Sequence, residues 1–152
     1  MSVFEYNFEQ YKSLSPDLYR KEKYNLQVEL LKLQEDVIKK KRKIAICFEG
    51  RDTAGKSSTI NFFSEHLIPS NFNYVHLGIP TKKERKNWFE RYETYLPNKG
   101  QIVLFDRSWY TRALTEPTLG YCSKKQYEEF MTKVNKWEKS LVKKGTELVK
   151  FY

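Results

Sequence analysis

Residues 48–60 read "FEGRDTAGKSSTI". Within them, Gly50-Arg51-Asp52-Thr53-Ala54-Gly55-Lys56-Ser57 fits the spacing G-x-x-x-x-G-K-[ST]. An apolar run, Ile44 to Phe48, leads into the stretch, and the residues from about Ser57 to His66 suit a helix. Strand, glycine turn and helix in that order form the setting in which this pattern cradles phosphate. The loop N–H groups and the helix N-terminus make an anion site, the lysine adds a mobile positive charge, and the Ser57 hydroxyl is placed for Mg²⁺. A glycine turn that merely packed a helix on a sheet would have no need of Lys56. Arg51 and Asp52 are less expected, because a carboxylate inside a cradle repels the anion the cradle should hold.

Working outward, "QIVLFD" (101–106) is a further apolar strand, and it ends on Asp106. An acidic residue at a strand end can be a helix cap. Beside a phosphate cradle it suits the metal-side carboxylate of phosphoryl-transfer sites. "NYVHL" (73–77) and "TELVKFY" (146–152) read as two more strands. Between them lie helical stretches. "SPDLYRKEKYNLQVELLKLQEDVIKKKRK" opens with Ser15 as cap and Pro16 in the first turn, carries the stripe Leu26, Leu30, Leu33 and Val37, and ends in the cluster Lys39–Lys43. "TKKERKNWFERYETYL" begins with the capping box Thr81/Glu84, and a third helix has the box Ser123/Gln126 and stops at Gly145. Strands alternating with helices indicate an α/β fold with a parallel sheet and flanking helices. A single domain over 1–152 is expected: an aromatic-rich arm and helix to residue 43, then a core from 44 to 152. Because the chain stops at Tyr152 in what reads as a buried strand, that core is expected to be incomplete at its C-terminus.

The 28 Lys+Arg against 19 Asp+Glu give a net charge of +9, which suits a polyanionic partner and is also compatible with a merely solubilising surface. Two cysteines, Cys47 and Cys122, offer neither a disulfide framework nor a metal pair and read as reduced thiols. The first residues lack a basic segment followed by an apolar core, and no run is apolar enough to span a membrane. A cytoplasmic protein without a membrane partner is expected. His66 and His76 lack metal-ligand spacing and read as structural, and Trp109 suits either base stacking or packing, with packing favoured.

"FEGRDTAGK", "LPNKGQIVLFDRSWYTRA" and "EPTLGYC" resemble the signature stretches of family-2 polyphosphate kinases, with "DRSWYTRA" the most specific of them. The resemblance runs over roughly residues 22–152. It implies a P-loop nucleoside triphosphate hydrolase-like fold related to thymidylate kinases. The implied activity is Mg²⁺-dependent phosphoryl transfer between inorganic polyphosphate and a nucleotide (ADP/ATP, AMP or GDP/GTP). On this basis Asp52 and Asp106 hold Mg²⁺ together with Ser57, which answers the question of the carboxylate in the cradle. Gly50, Arg51, Thr53, Ala54, Gly55, Lys56 and Ser57 bind phosphate, with Lys56 catalytic. Arg107 and Arg112 neutralise charge developing in transfer, and Glu116, Pro117 and Gly120 belong to a lid that excludes water. Ser57 and Ser58 stand where the family usually has glycines, and Thr111 where Asn is common. A homo-oligomer is expected, and nucleic acid is not, since no base-stacking module is evident. Two other readings stay open at this level: a thymidylate-kinase-like nucleoside monophosphate kinase using ATP, and a non-catalytic fragment that binds polyphosphate or nucleic acid.

Overall fold

The structure, a computed structural model, describes residues 14–152; the aromatic arm expected over residues 1–14 falls almost wholly outside them. Helix α1 spans Pro16–Lys39, and the Ser15 hydroxyl accepts from Leu18 N at 3.2 Å, as the Ser-Pro start predicts. Four strands follow, β1 (Lys43–Phe48), β2 (Phe72–Val75), β3 (Gln101–Asp106) and β4 (Thr146–Phe151), in the order β2-β3-β1-β4 and parallel at every pairing. The connecting helices are α2 (Lys56–Ser64), α3 (Lys82–Lys86), α4 (Glu90–Glu93), α5 (Thr115–Thr118) and α6 (Lys124–Lys143).

The central strands β1 and β3 are apolar on both sides because both faces of the sheet are covered there. The edge strands β2 and β4, the latter expected to be buried, leave half of their residues exposed. Ala45 and Cys47 of β1, with Val103 and Phe105 of β3, pack on Trp88, Tyr92, Trp109, Phe130 and Val134. One residue out of phase, Ile44, Ile46, Phe48, Ile102 and Leu104 pack on Val37 and Ile60 of the other helical layer. Burial in the first layer pushes the Cys47 thiol up to about 12, so it stays protonated.

Two expectations are corrected here. The α1 stripe holds only at its C-terminal end: Val37 is buried and Leu33 packs on the same core, but Leu26 is exposed and the other buried residues are Gln27 and Gln34. The Gln34 amide accepts from Ile68 N at 2.7 Å and donates to Ile68 O at 3.0 Å, while Gln27 donates to Glu65 at 2.6 Å. A buried amide with both ends paired is tolerated, and hydropathy does not reveal it. The segment 81–96 is also not one helix. Its capping box forms, but Asn87 leaves the helical region at φ −112°, ψ 60°, and α4 starts afresh after it. Asn side chains compete with the helical backbone for hydrogen bonds.

The boxes of α3 and α6 close as their sequences predict, and Gly145 takes a left-handed φ of 82° after α6. No helix among the described residues is long and apolar enough to cross a membrane. Parallel pairing brings the carboxyl ends of all four strands to one edge of the sheet. The end of β1 meets the end of β3 there, at Phe48↔Asp106. In open parallel sheets, ligands bind at the carboxyl ends of the strands.

Candidate active site

The loop after β1 needs unusual backbone conformations. Gly50 sits at φ 137° and Gly55 at φ 84°, both in the region that favours glycine, and Thr53 joins them at φ 64°. Helix α2 then starts at Lys56 with Gly55 as its N-cap. The Lys56 ammonium folds back along the loop, donating to Gly50 O at 3.1 Å and to Arg51 O at 2.7 Å. Arg51 itself is exposed, and among the described residues its side chain has no ion-pair partner.

Ser57, in the first turn of α2, donates its hydroxyl to Asp106 Oδ2 at 2.8 Å. Asp106 is buried at the end of β3 and takes a second hydroxyl, that of Tyr74, on the same oxygen at 3.0 Å. His76 Nδ1 lies 3.8 Å from that oxygen. Burial, reinforced by the neighbouring Asp106 carboxylate, raises the pKa of Tyr74 and keeps its hydroxyl a donor. A hydroxyl and a buried carboxylate in contact are hard oxygen donors. Mg²⁺ takes one or two protein oxygens and fills its remaining positions with water and phosphate. Ser57 and Asp106 therefore fit that ion. No group of three or more His, Cys, Asp or Glu residues is arranged for a metal among the described residues.

Asp52 is not held beside that pair. Its exposed carboxylate forms an ion pair with Arg107, whose other terminal nitrogen donates to Thr115 Oγ1 at 2.8 Å. The repulsion that a loop carboxylate would offer a phosphate is thus offset by a guanidinium that crosses from the end of β3.

Arg112 is placed differently from Arg107. Its guanidinium is buried 4.0 Å from the Trp88 ring centroid, and its Nε pairs with Glu116 Oε2 at 2.8 Å. Burial raises the pKa of the Glu116 carboxyl, against the pull of Arg112. Of the expected lid residues, Glu116 is therefore buried as an anchor, while Pro117 and Gly120 are exposed. The following turn is tied by Tyr121 O, which accepts from Arg85 at 2.6 Å. A cavity of about 260 Å³ opens between this turn and the 76–80 loop, lined by His76, Gly78, Arg85, Arg91, Arg107 and Tyr121 among others. Trp109 is fully buried and donates to Glu138 at 2.9 Å, so packing is its role.

Sequence reading did not single out Tyr74 or Glu49, and it read His76 as structural without placing it near Asp106. Tyr74 and His76 sit on or just after an edge strand whose register against β3 cannot be read from local pattern. Glu49 falls between the apolar run Ile44–Phe48 and the glycine turn, where local pattern gives it no task.

The polyphosphate kinase 2 (PPK2) family matches residues 13–152. The chain belongs to this family. It is 47% identical over 135 residues to the GDP-polyphosphate phosphotransferase of Mycolicibacterium smegmatis, covering 88% of this chain and 48% of that one. It is 44% identical over 140 residues to the ADP-polyphosphate phosphotransferase of Pseudomonas aeruginosa, covering 91% and 46%. The chain thus spans about half the length of the curated relatives it matches. The crystal structure of polyphosphate kinase 2 from Arthrobacter aurescens superposes with a TM-score of 0.80 at 21% identity, over 90% of this chain and 50% of that one, which establishes the fold.

Proposed function

We propose that the protein is a polyphosphate-dependent nucleotide kinase. It moves a phosphoryl group between inorganic polyphosphate and a nucleoside di- or monophosphate, in the cytoplasm and as a homo-oligomer. The observation that carries this reading is the contact between the hydroxyl of Ser57, in the first turn of α2, and the buried Asp106, flanked by the Arg107–Asp52 pair. Membership of the family and the printed activities of the two relatives support it, and their names favour a diphosphate acceptor.

In the transfer, a terminal phosphate oxygen of the nucleotide attacks the terminal phosphorus of the polymer. The P–O bond to the next phosphate breaks, and the polymer leaves one unit shorter, its new end carrying the released negative charge. Both reactants are anions, so the work of the site is positioning and charge compensation. The loop N–H groups and Lys56 hold one phosphate, and Arg107 faces the charge that spreads over the moving phosphoryl oxygens. Mg²⁺, held by Ser57 and Asp106, supplies further neutralisation when bound. Asp52 either joins the metal shell or fixes Arg107, and the pairing with Arg107 favours the latter. The segment Glu116–Gly120, anchored by Glu116 on Arg112, covers the site and keeps water from acting as acceptor.

The test is a donor exchange. Protein with Mg²⁺ and ADP or GDP is given polyphosphate as the sole donor, and nucleotides are separated by ion exchange. ATP or GTP is the expected product, and ATP offered with a monophosphate is expected to leave the protein idle. The reverse pattern would support the monophosphate-kinase reading.

A further inference from the structure

The end of β1 carries a buried carboxylate that phosphate binding does not require. Glu49 lies between Phe48 and Gly50, 8% exposed, directly beneath the loop. Its Oε1 accepts from Ser108 N at 2.6 Å and from Ser108 Oγ at 2.7 Å, and Ser108 is fully buried. The reason lies in how the sheet ends. The ladder between β1 and β3 closes at Phe48↔Asp106, and Arg107 N donates once more to Phe48 O at 3.0 Å. At the next residue the β1 backbone directs its polar groups to the other neighbour, as alternation along a strand requires. Glu49 N donates to Phe151 O on β4 at 2.8 Å, and Gly50 swings the chain into the loop before β1 can face β3 again. The Glu49 side chain supplies the acceptor that the strand no longer can.

Between the two tied positions sits Arg107, at φ 64°. That conformation is costly for a residue with a Cβ and persists only where its surroundings impose it. The Phe48 carbonyl fixes the turn on one side and Glu49 on the other, and Tyr92 OH adds a bond to Ser108 O at 3.0 Å. In this turn the Arg107 guanidinium reaches Asp52 and Thr115. The negative charge of Glu49 is no asset to a site for anions. Burial raises the pKa of its carboxyl, while the bonds from Ser108 and then the charges of Arg107 and Lys56 lower it. What the turn needs from residue 49 is an acceptor oxygen, and an amide has one.

We infer that Glu49 is a positioning residue for the phosphate site: by accepting both donors of Ser108 it holds the Arg107 turn, and so aims the guanidinium at the phosphates. This rests on the function proposed above. The experiment measures tripolyphosphate binding by calorimetry and turnover by product formation for the parent, Glu49→Ala, Glu49→Gln and Ser108→Ala. Glu49→Ala leaves two buried donors without a partner, and is expected to weaken tripolyphosphate binding at least about fivefold and cut kcat at least about tenfold. Glu49→Gln keeps the oxygen and drops the charge, and is expected to bind within about twofold of the parent, or more tightly, with kcat retained. Ser108→Ala removes one of the two bonds, folds with the carboxylate in place, and is expected to fall between them. Parent-like binding in Glu49→Ala overturns the inference, and so does a loss in Glu49→Gln as large as in Glu49→Ala. Should Glu49→Ala not fold, parent-like binding in Ser108→Ala overturns it instead. Tripolyphosphate binding needs no turnover. A parent that binds but transfers nothing therefore contradicts the proposed activity, and the affinities still decide the role of Glu49. A parent that does neither overturns both.

Discussion

Ser57 Oγ and Asp106 Oδ2 lie 2.8 Å apart, joining the first turn of α2 to the end of β3 across 49 residues of chain. That contact unites the two signals that the sequence offered separately, and it defines where Mg²⁺ is held in the proposed reaction. Asp106→Asn keeps the shape and removes the charge that holds the cation. Turnover is expected to fall at least about a hundredfold, with the Mg²⁺ requirement moved to higher concentration. An Mg²⁺ titration checks it, and an unshifted requirement would make Asp106 a structural acceptor for Ser57 and Tyr74.

Lys56→Ala is expected to lower turnover by about 10²–10³. Among the described residues its ammonium hydrogen-bonds only the loop carbonyls of Gly50 and Arg51, so stability should change by no more than about 0.5 kcal/mol. Thermal melts beside the assay separate the two effects. A lysine that stabilises the loop but serves no phosphate would show the opposite pattern.

Arg107 and Arg112 differ in what surrounds them, and their variants should differ accordingly. Arg112 and Glu116 form an ion pair with side-chain exposures of 2% and 6%, so Arg112→Ala strands a buried carboxylate and is expected to cost about 3–5 kcal/mol in urea unfolding. The partner of Arg107, Asp52, is 89% exposed, so breaking that pair costs about 0–1 kcal/mol. Arg107→Ala is therefore expected to fold like the parent and lose turnover. Full stability in Arg112→Ala would show that the pair does not anchor Glu116.

The segments legible in advance were those in which local pattern carries the physics. The cradle, the capping boxes of α3 and α6 and the apolar strands each depend on residues a few positions apart. Gln34, Glu49 and Tyr74 were not legible, because their partners lie far along the chain: Ile68, Ser108 and Asp106. A buried polar side chain looks like a surface residue until the acceptor or donor that satisfies it is known. Arg112 shows the converse limit. Resemblance gave it a charge-neutralising role, and burial against Trp88 and Glu116 gives it a structural task that sequence does not display.

Acid should loosen the far edge of the sheet first. Arg42 bridges Asp36 on α1 and Glu147 on β4, at 2.5 and 2.6 Å. Hydrogen bonds from Lys40 and then Arg42 hold the Asp36 carboxyl below its ordinary 3.8, and the Arg42 bond holds Glu147 below its ordinary 4.5. Depressed carboxyls contribute stability that is present above their ordinary values and lost as pH falls through the depressed ones. Melting temperature should therefore decline below about pH 4.5, and Arg42→Met should decline less steeply from a lower plateau. Parallel curves for the two proteins would rule out the bridge as the source.

The central claim is that polyphosphate is the phosphoryl donor, and ³¹P NMR of one reaction mixture tests it most directly. Protein, Mg²⁺, ADP or GDP and polyphosphate are followed over time, with Lys56→Ala as the control. The account predicts nucleoside triphosphate signals that grow in step with the loss of phosphate from the polymer, one unit for each triphosphate formed, and no such growth in Lys56→Ala. An unchanged polymer in the parent, or triphosphate formed equally well by Lys56→Ala, would contradict it.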